Sequence, residues 1–157
     1  MRARVEAARV ARLATTDPDG RTNVVPICFA LEDDVLYSAV DEKPKRTKRL
    51  RRLANIRARP TVTVLVDHYE EDWSRLWWIR LRGDARVEEK GPDRDRALVL
   101  LAEKYEQYRR EPPSGAAIAV YIEEWRSWSA AGRSTCSPTT AERVAERARR
   151  RREDPCR

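Results

Sequence analysis

The sequence predicts a mainly β protein with flanking helices, in which six antiparallel strands close a small barrel. Three observations support this fold class: six segments rich in β-branched and aromatic residues, tight turns between the first three of them, and two helical segments that interrupt the series. The predicted strands are residues 10–15, 22–30, 35–40, 61–67, 76–87 and 116–128. A chain of 157 residues fits one domain of ordinary size.

The first three strands form a predicted meander behind a short helix at residues 2–9. Asp17-Pro18-Asp19-Gly20 is a strong turn signal, and Glu32-Asp33-Asp34 makes the next turn. Pro26 lies within the second strand, where proline is tolerated only at a sheet edge or a bulge because it has no N–H to donate. We therefore expect a bulged second strand whose backbone polar groups are available to a ligand.

The second half of the chain alternates strands and an amphipathic helix. Residues 76–87 alternate strictly, with Trp77 on the apolar face and Trp78 on the charged face. A helix is predicted at residues 93–108, and the last strand ends at residue 128. The sequence predicts a folded domain over residues 1–131 and a basic C-terminal tail over residues 132–157, either helical or disordered.

Positive charge is concentrated in one segment rather than spread over the chain. Residues 43–59 contain nine Lys or Arg residues and no acid, whereas residues 1–42 and 60–133 together carry a net charge of −5. Pro44 suits a helix start and Pro60 a helix end, so this segment predicts a basic helix leading into a core strand. Residues 45–48 would lie at the helix N-terminus, where backbone N–H groups and the helix dipole favour an anion. A solvated basic face is the alternative interpretation.

Composition excludes several classes of function. Three widely spaced cysteines and one histidine predict neither a metal site nor a disulfide framework, and no Ser-His-Asp or paired-carboxylate pattern indicates hydrolysis. If the protein is an enzyme, a cofactor carries the reaction. No apolar run approaches a membrane span and the N-terminus lacks a signal-peptide core, so we expect a cytoplasmic protein without a membrane partner. A single basic patch on an acidic body also argues against nucleic acid.

Five stretches together resemble one known superfamily. In chain order they are VARLATTDPDG, VVPICFA, LYSAVDEKPKRTKRLRRLANI, VTVLVDHYEEDWSRLWWIRLRG and EKYEQYRREPP, and the resemblance as a whole covers roughly residues 5–131. The chain resembles the pyridoxamine-phosphate-oxidase-like (PPOX class) split-barrel superfamily, and more narrowly its actinobacterial branch of deazaflavin (coenzyme F-420)-dependent oxidoreductases. The resemblance implies a six-stranded antiparallel split β-barrel of the FMN-binding type, a homodimer, and a cofactor groove at the dimer interface.

The resemblance also implies a set of cofactor-binding residues. The phosphate-bearing arm is expected against the basic segment, at Lys45, Arg46, Thr47, Lys48 and Arg51, followed by Asn55. The ring is expected along the second strand, at Val25, Pro26, Ile27 and Cys28. Both expectations agree with the residue patterns, which predict an anion-binding helix start and a strand with accessible backbone groups.

The substrate side of the site is less defined by sequence. His68 is the only imidazole, and its predicted loop position after a core strand favours either substrate contact or a structural hydrogen bond to the acidic residues that follow. His68, Tyr69 and Trp78 are the substrate-side candidates, Trp77 is expected in the core, and no catalytic residue is assigned.

The sequence therefore predicts an F-420-dependent oxidoreductase that transfers a hydride to a small organic substrate. An FMN-dependent oxidase or reductase of the same fold is the close alternative. The alternative from another class is a non-catalytic module that binds a cofactor or nucleic acid.

Overall fold

The structure is a computed structural model that describes residues 1–40 and 50–136, with side chains up to residue 132. The strands are β1 (Ala11–Thr16), β2 (Thr22–Ile27), β3 (Ala30–Glu32), β4 (Val35–Ala39), β5 (Thr61–His68), β6 (Trp77–Glu88), β7 (Ala117–Ser129) and β8 (Gly132–Cys136). The helices are α1 (Arg2–Ala7), α2 (Arg51–Ala58), α3 (Pro92–Lys104) and α4 (Glu106–Arg110), with one 3-10 turn, Trp73–Arg75. None of the helices in these described ranges is long and apolar enough to cross a membrane.

All eight strands belong to one antiparallel sheet in the order β2-β1-β5-β6-β7-β4-β3, with β8 paired to the end of β7. β2 and β3 are at opposite ends of this order, yet only Cys28 and Phe29 connect them. Three Cα–Cα steps span at most about 11 Å. The sheet must therefore curl until its two edges face each other, which gives a barrel that is split between β2 and β3.

The mainly β antiparallel architecture with flanking helices is confirmed, but the described residues form eight strands rather than the six predicted. The predicted strand 22–30 divides into β2 and β3 because the backbone of buried Phe29 bonds to the hydroxyl of Tyr105 instead of a neighbouring strand. The sheet also continues past residue 131, since Gly132–Cys136 pairs with β7 as β8. Residues 137–157, the rest of the predicted tail, lie outside the described residues.

The bulge predicted in the second strand is wrong. β2 pairs with β1 in continuous register from Thr22 to Ile27, and Pro26 is tolerated because β2 is an edge strand. The register shift occurs instead between Arg82 and Gly83 of β6, where an extra residue of β7 interrupts the ladder.

Three predicted element boundaries also differ from the structure. α2 begins at Arg51 after an extended Leu50, so this helix does not reach back to residues 45–48, which lie outside the described residues. α3 ends at Lys104 and Tyr105 is extended, so residues 93–108 are not one helix. His68 is the last residue of β5, paired with Trp77, and does not lie in a loop.

The core fills the interior of the curled sheet. Alternate residues of β1, β5, β6 and β7 point inward, and Val5 of α1 and Ile56 of α2 are buried with them. Trp77 packs against this cluster, which agrees with its expected core role. On another side, α3 packs on β4 and β7 through Ala97 and Leu101.

Tyr105 ties the split of the barrel together. Its buried hydroxyl accepts a hydrogen bond from Phe29 N–H at 3.1 Å and lies 2.8 Å from the carbonyl oxygens of both Phe29 and Arg9. One hydroxyl proton can be donated to only one of these carbonyls at a time. A single side chain thus connects the β2–β3 crossover to the residues that precede β1.

Tyr105→Phe is expected to destabilise the protein by about 2 kcal/mol, because it leaves a buried N–H and a buried carbonyl of Phe29 without their partner. Urea unfolding followed by circular dichroism measures this change. The matched control is Tyr69→Phe, since Tyr69 is 66% exposed and should be neutral. Equal stability of the Tyr105 variant and the wild type would show that the hydroxyl does not hold the crossover.

Candidate functional site

The predicted ring-binding segment occupies the second half of β2 and the connection that follows. Val25 and Cys28 are half-buried, Pro26 is exposed, and Ile27 is buried in the core. Among the described strands β2 pairs with β1 alone. Its outer backbone edge therefore faces the split, where a planar heterocycle can receive backbone hydrogen bonds.

The N-terminus of α2 offers an anion site in the described part of the basic segment. Leu50 is the N-cap residue and provides no side-chain hydrogen bond, and the first turn contains no acid. Arg51 and Arg52 instead occupy that turn, although cations there oppose the helix dipole. This arrangement favours a bound anion at the first turn. Lys45, Arg46, Thr47 and Lys48 lie outside the described residues.

Asn55 is buried and connects α2 to the sheet. Its Nδ2 donates a hydrogen bond of 3.1 Å to Oγ1 of Thr15, which is itself buried in β1. Thr15 pairs in turn with Asn23 of β2. The observed contact of Asn55 is thus structural, and its effect is to dock the basic helix beside β1, one strand away from the predicted ring-binding strand.

Lys104 is a residue near this segment that sequence reasoning missed. Its Nζ lies 4.1 Å from the centroid of the Phe29 ring, directly after Cys28, and makes no hydrogen bond to the described residues. Burial, followed by the nearby Arg9 guanidinium, lowers the pKa of Lys104 to about 8. Nothing in the sequence distinguishes this lysine from the other charged residues of its helix.

The three substrate-side candidates do not form one cluster. Nε2 of His68 lies 3.0 Å from Oε2 of Glu70, so its observed contact is with the acidic residues that follow β5. Tyr69 is exposed, and Trp78 points to the outer face of β6 opposite Asp67 and Trp128. His68 instead pairs with Trp77, which faces the other way. The structure brings His68 and Trp77 together and separates both from Trp78.

The curled antiparallel sheet, open between β2 and β3 and flanked by four helices, defines a split-barrel protein. The sequence model of the pyridoxamine 5'-phosphate oxidase family matches residues 1–129. The chain therefore belongs to the pyridoxamine 5'-phosphate oxidase family, as the sequence resemblance indicated at the level of the superfamily. The comparison with curated proteins found no match.

Solved structures of similar fold come from several bacteria. A conserved hypothetical protein from Mycobacterium tuberculosis is 18% identical, with 88% of this chain and 90% of that chain covered and a TM-score of 0.66. A FAD-binding protein from Mesorhizobium loti is 25% identical over 80% of this chain and 89% of that chain, with a TM-score of 0.55. A heme binding protein from Mycobacterium smegmatis is 19% identical over 91% of this chain and 58% of that chain, with a TM-score of 0.66.

Proposed function

We propose that this protein is an oxidoreductase that binds coenzyme F-420 and transfers a hydride to a small organic substrate. FMN is the alternative cofactor. Membership of the pyridoxamine 5'-phosphate oxidase family supports redox chemistry carried by a bound cofactor, and the FAD-binding neighbour supports a flavin-type ring. The choice of F-420 over FMN rests on the sequence resemblance.

The observation that carries the proposal is the N-terminus of α2. It is a helix start without a side-chain cap and without an acid, and Arg51 and Arg52 occupy its first turn. The N–H groups at the start of a helix point outward, where an anion can accept hydrogen bonds from them, although the N–H of Leu53 already bonds to the carbonyl of Leu50 at 3.0 Å. A phosphate group at this helix start would also accept from the guanidinium of Arg51, which is exposed, and a charged donor makes a stronger hydrogen bond to phosphate than a neutral one.

The residues of β2 suit the other end of an elongated cofactor. From Asn23, which pairs with Thr15 near α2, to Cys28 the strand covers about 17 Å. The outer backbone edge of Val25, Pro26, Ile27 and Cys28 would lie along the ring, although the side chain of Ile27 is buried in the core. The cofactor, when bound, supplies the hydride chemistry, while these residues orient it and exclude water from one side.

Lys104 adds a proton-bearing group beside Cys28. Because the pKa of this amine is lowered to about 8, it exchanges its proton closer to neutral pH than an ordinary lysine does. It is thereby suited to hold or release a proton near the ring.

The experiment that tests the proposal is equilibrium titration of the pure protein with F-420 and, separately, with FMN. We expect F-420 to bind saturably and more tightly than FMN, and reduced F-420 bound to the protein to be oxidised when an unsaturated organic acceptor is added. Tighter binding of FMN would favour the flavin alternative. Binding of F-420 without turnover of any acceptor would indicate a cofactor carrier, and no binding of either cofactor would contradict the proposal.

We also propose that the active unit is a homodimer. The outer face of the sheet exposes apolar side chains where a monomer would face water: Trp78 and Trp128 lie opposite each other across β6 and β7, and Val24 of β2 is 57% exposed. Aromatic residues at the centre of an exposed face are typical of protein interfaces.

Light scattering is expected to give about twice the chain mass of 18.3 kDa. Trp128→Arg should shift the protein toward monomer, because it replaces an aromatic contact with a further positive charge on a face that already carries Arg80 and Arg126. Trp73→Arg is the matched control, since Trp73 is 77% exposed in the loop after β5. A monomeric wild type that still binds cofactor would remove the interface from the proposal.

A further inference from the structure

A cleft that the proposed cofactor site does not use opens at the other end of β5. Its volume is about 420 Å³, within the range of small-molecule sites. His68 at the end of β5 and Trp77 at the start of β6 form one wall, and Trp77 pairs with Ser129 at the end of β7. Arg4 from α1 and Ser74 and Arg75 from the 3-10 turn complete the lining.

The charge of this cleft is positive. No carboxylate is among its lining side chains, and among the described residues none pairs with Arg4. The adjacent Glu70 carboxylate is already engaged, by Nε of Arg75 at 3.0 Å and by Nε2 of His68 at 3.0 Å. The guanidinium groups of Arg4 and Arg75 together face this one carboxylate, so the arginines exceed it by one positive charge.

The apolar wall of the cleft is flat and aromatic. The rings of His68 and Trp77 are stacked, with centroids 6.2 Å apart and planes inclined by 19°. Arg4 holds its guanidinium carbon 5.4 Å from the centroid of the Trp77 ring. Leu76 beside Trp77 is buried. A guanidinium next to an indole face can contact both the charged group and the ring of one planar ligand.

From this combination we propose that the cleft is a binding site for a planar aromatic carboxylate. Arg4 binds the carboxylate together with the terminal nitrogens of Arg75, whose Nε is paired with Glu70, and Trp77 with Leu76 contacts the ring. The hydroxyl of Ser74 donates to Asp72 at 2.6 Å, so its oxygen remains able to accept a hydrogen bond from a ring substituent. This site goes beyond the proposed function, because it uses neither β2 nor α2 and its occupancy does not require the cofactor.

His68 provides a specific reporter for the test, since it is the only histidine of the chain. The probe is 4-hydroxybenzoate, added to the full-length protein without cofactor, and the signal is the imidazole Cε1 proton resonance. We expect a saturable shift of this resonance. Benzamide, which lacks the charge, and cyclohexanecarboxylate, which lacks the planar ring, are each expected to bind at least about tenfold more weakly.

Two variants and a matched control decide whether the arginines act as proposed. Arg4→Gln and Arg75→Gln are each expected to weaken 4-hydroxybenzoate binding by about tenfold or more, as loss of a charge-assisted contact predicts. Arg21→Gln is the control, because Arg21 is an exposed arginine at the β1–β2 turn, which lies beside the start of β5, whereas the cleft lies at its end. No saturable shift, or an equal loss in the Arg21 variant, would overturn the proposal. If 4-hydroxybenzoate does not bind, the proposal of a cofactor site at β2 and α2 is unaffected, so the two proposals are tested separately.

Discussion

Gly83→Ala is expected to destabilise the protein by more than about 3 kcal/mol, the largest effect of a single substitution that the structure predicts. A Cβ atom at this position would lie 1.9 Å from the carbonyl oxygen and 2.8 Å from the carbonyl carbon of Tyr121. Both atoms belong to the backbone of β7, so no side-chain rotation can relieve the overlap. The β6–β7 ladder would have to separate at its register shift, in the middle of the sheet.

Urea unfolding of the variant measures this effect. Gly132→Ala is the matched control, because it is the same substitution in a strand and, among the described residues, its Cβ would approach only the Ser129 hydroxyl, at 4.0 Å. The control should change stability by less than about 0.5 kcal/mol. A Gly83 variant as stable as the control would mean that β6 and β7 do not approach each other as described.

The same strand shows how far sequence predicts this fold. Strict alternation in residues 76–87 correctly separated Trp77, Ile79 and Leu81 inside from Trp78 and Arg80 outside. Alternation carries this information because each strand has one dry and one wet face. The register shift at Gly83 was not predicted, although a glycine within a strand pattern is itself a signal for a bulge or a close backbone approach.

Elements whose ends depend on distant contacts were the ones missed. The second strand divides at Phe29 because Tyr105, far away in sequence, satisfies its backbone. The same contact accounts for the end of α3 at Lys104. Tyr105 has an extended backbone, and in this conformation its hydroxyl bonds to the backbone of Phe29. Local propensity contains no information about such distant partners. The apolar periodicity therefore predicted a helix that extends to residue 108, past its observed end at Lys104.

In the candidate site, too, some features could be predicted from the sequence and others depend on packing between distant residues. Pro26 lies in an edge strand, which is one of the two positions that the missing N–H of proline allows, but the bulge that was expected there is absent. The buried hydrogen bond between Asn55 and Thr15 and the buried amine of Lys104 result from packing, which only the structure shows. The assignment of residues 45–48, Arg51 and Asn55 to a cofactor remains a prediction.

Loss of one cation from the proposed phosphate site is expected to weaken F-420 binding by roughly 10- to 150-fold, which corresponds to about 1.5–3 kcal/mol for a charge-assisted hydrogen bond. Arg51 is the residue of choice in the described structure, because it is the first residue of α2 and is exposed. Lys48 is the second, as the sequence resemblance implies. Arg57 is the matched control: it lies at the other end of α2, and its guanidinium already pairs with Glu89 at 2.7 Å.

The measurement that tests the central claim most directly is a fluorescence titration of F-420 into the wild type and into Lys48→Ala, Arg51→Ala and Arg57→Ala. A phosphate site at the start of α2 predicts large losses of affinity for Lys48→Ala and Arg51→Ala and almost none for Arg57→Ala. It also predicts that the difference between the variants persists in high salt, since a desolvated contact is screened less than an exposed one. Equal, small losses in all three variants that disappear as salt is added would contradict the site and reduce the basic segment to a solvated surface.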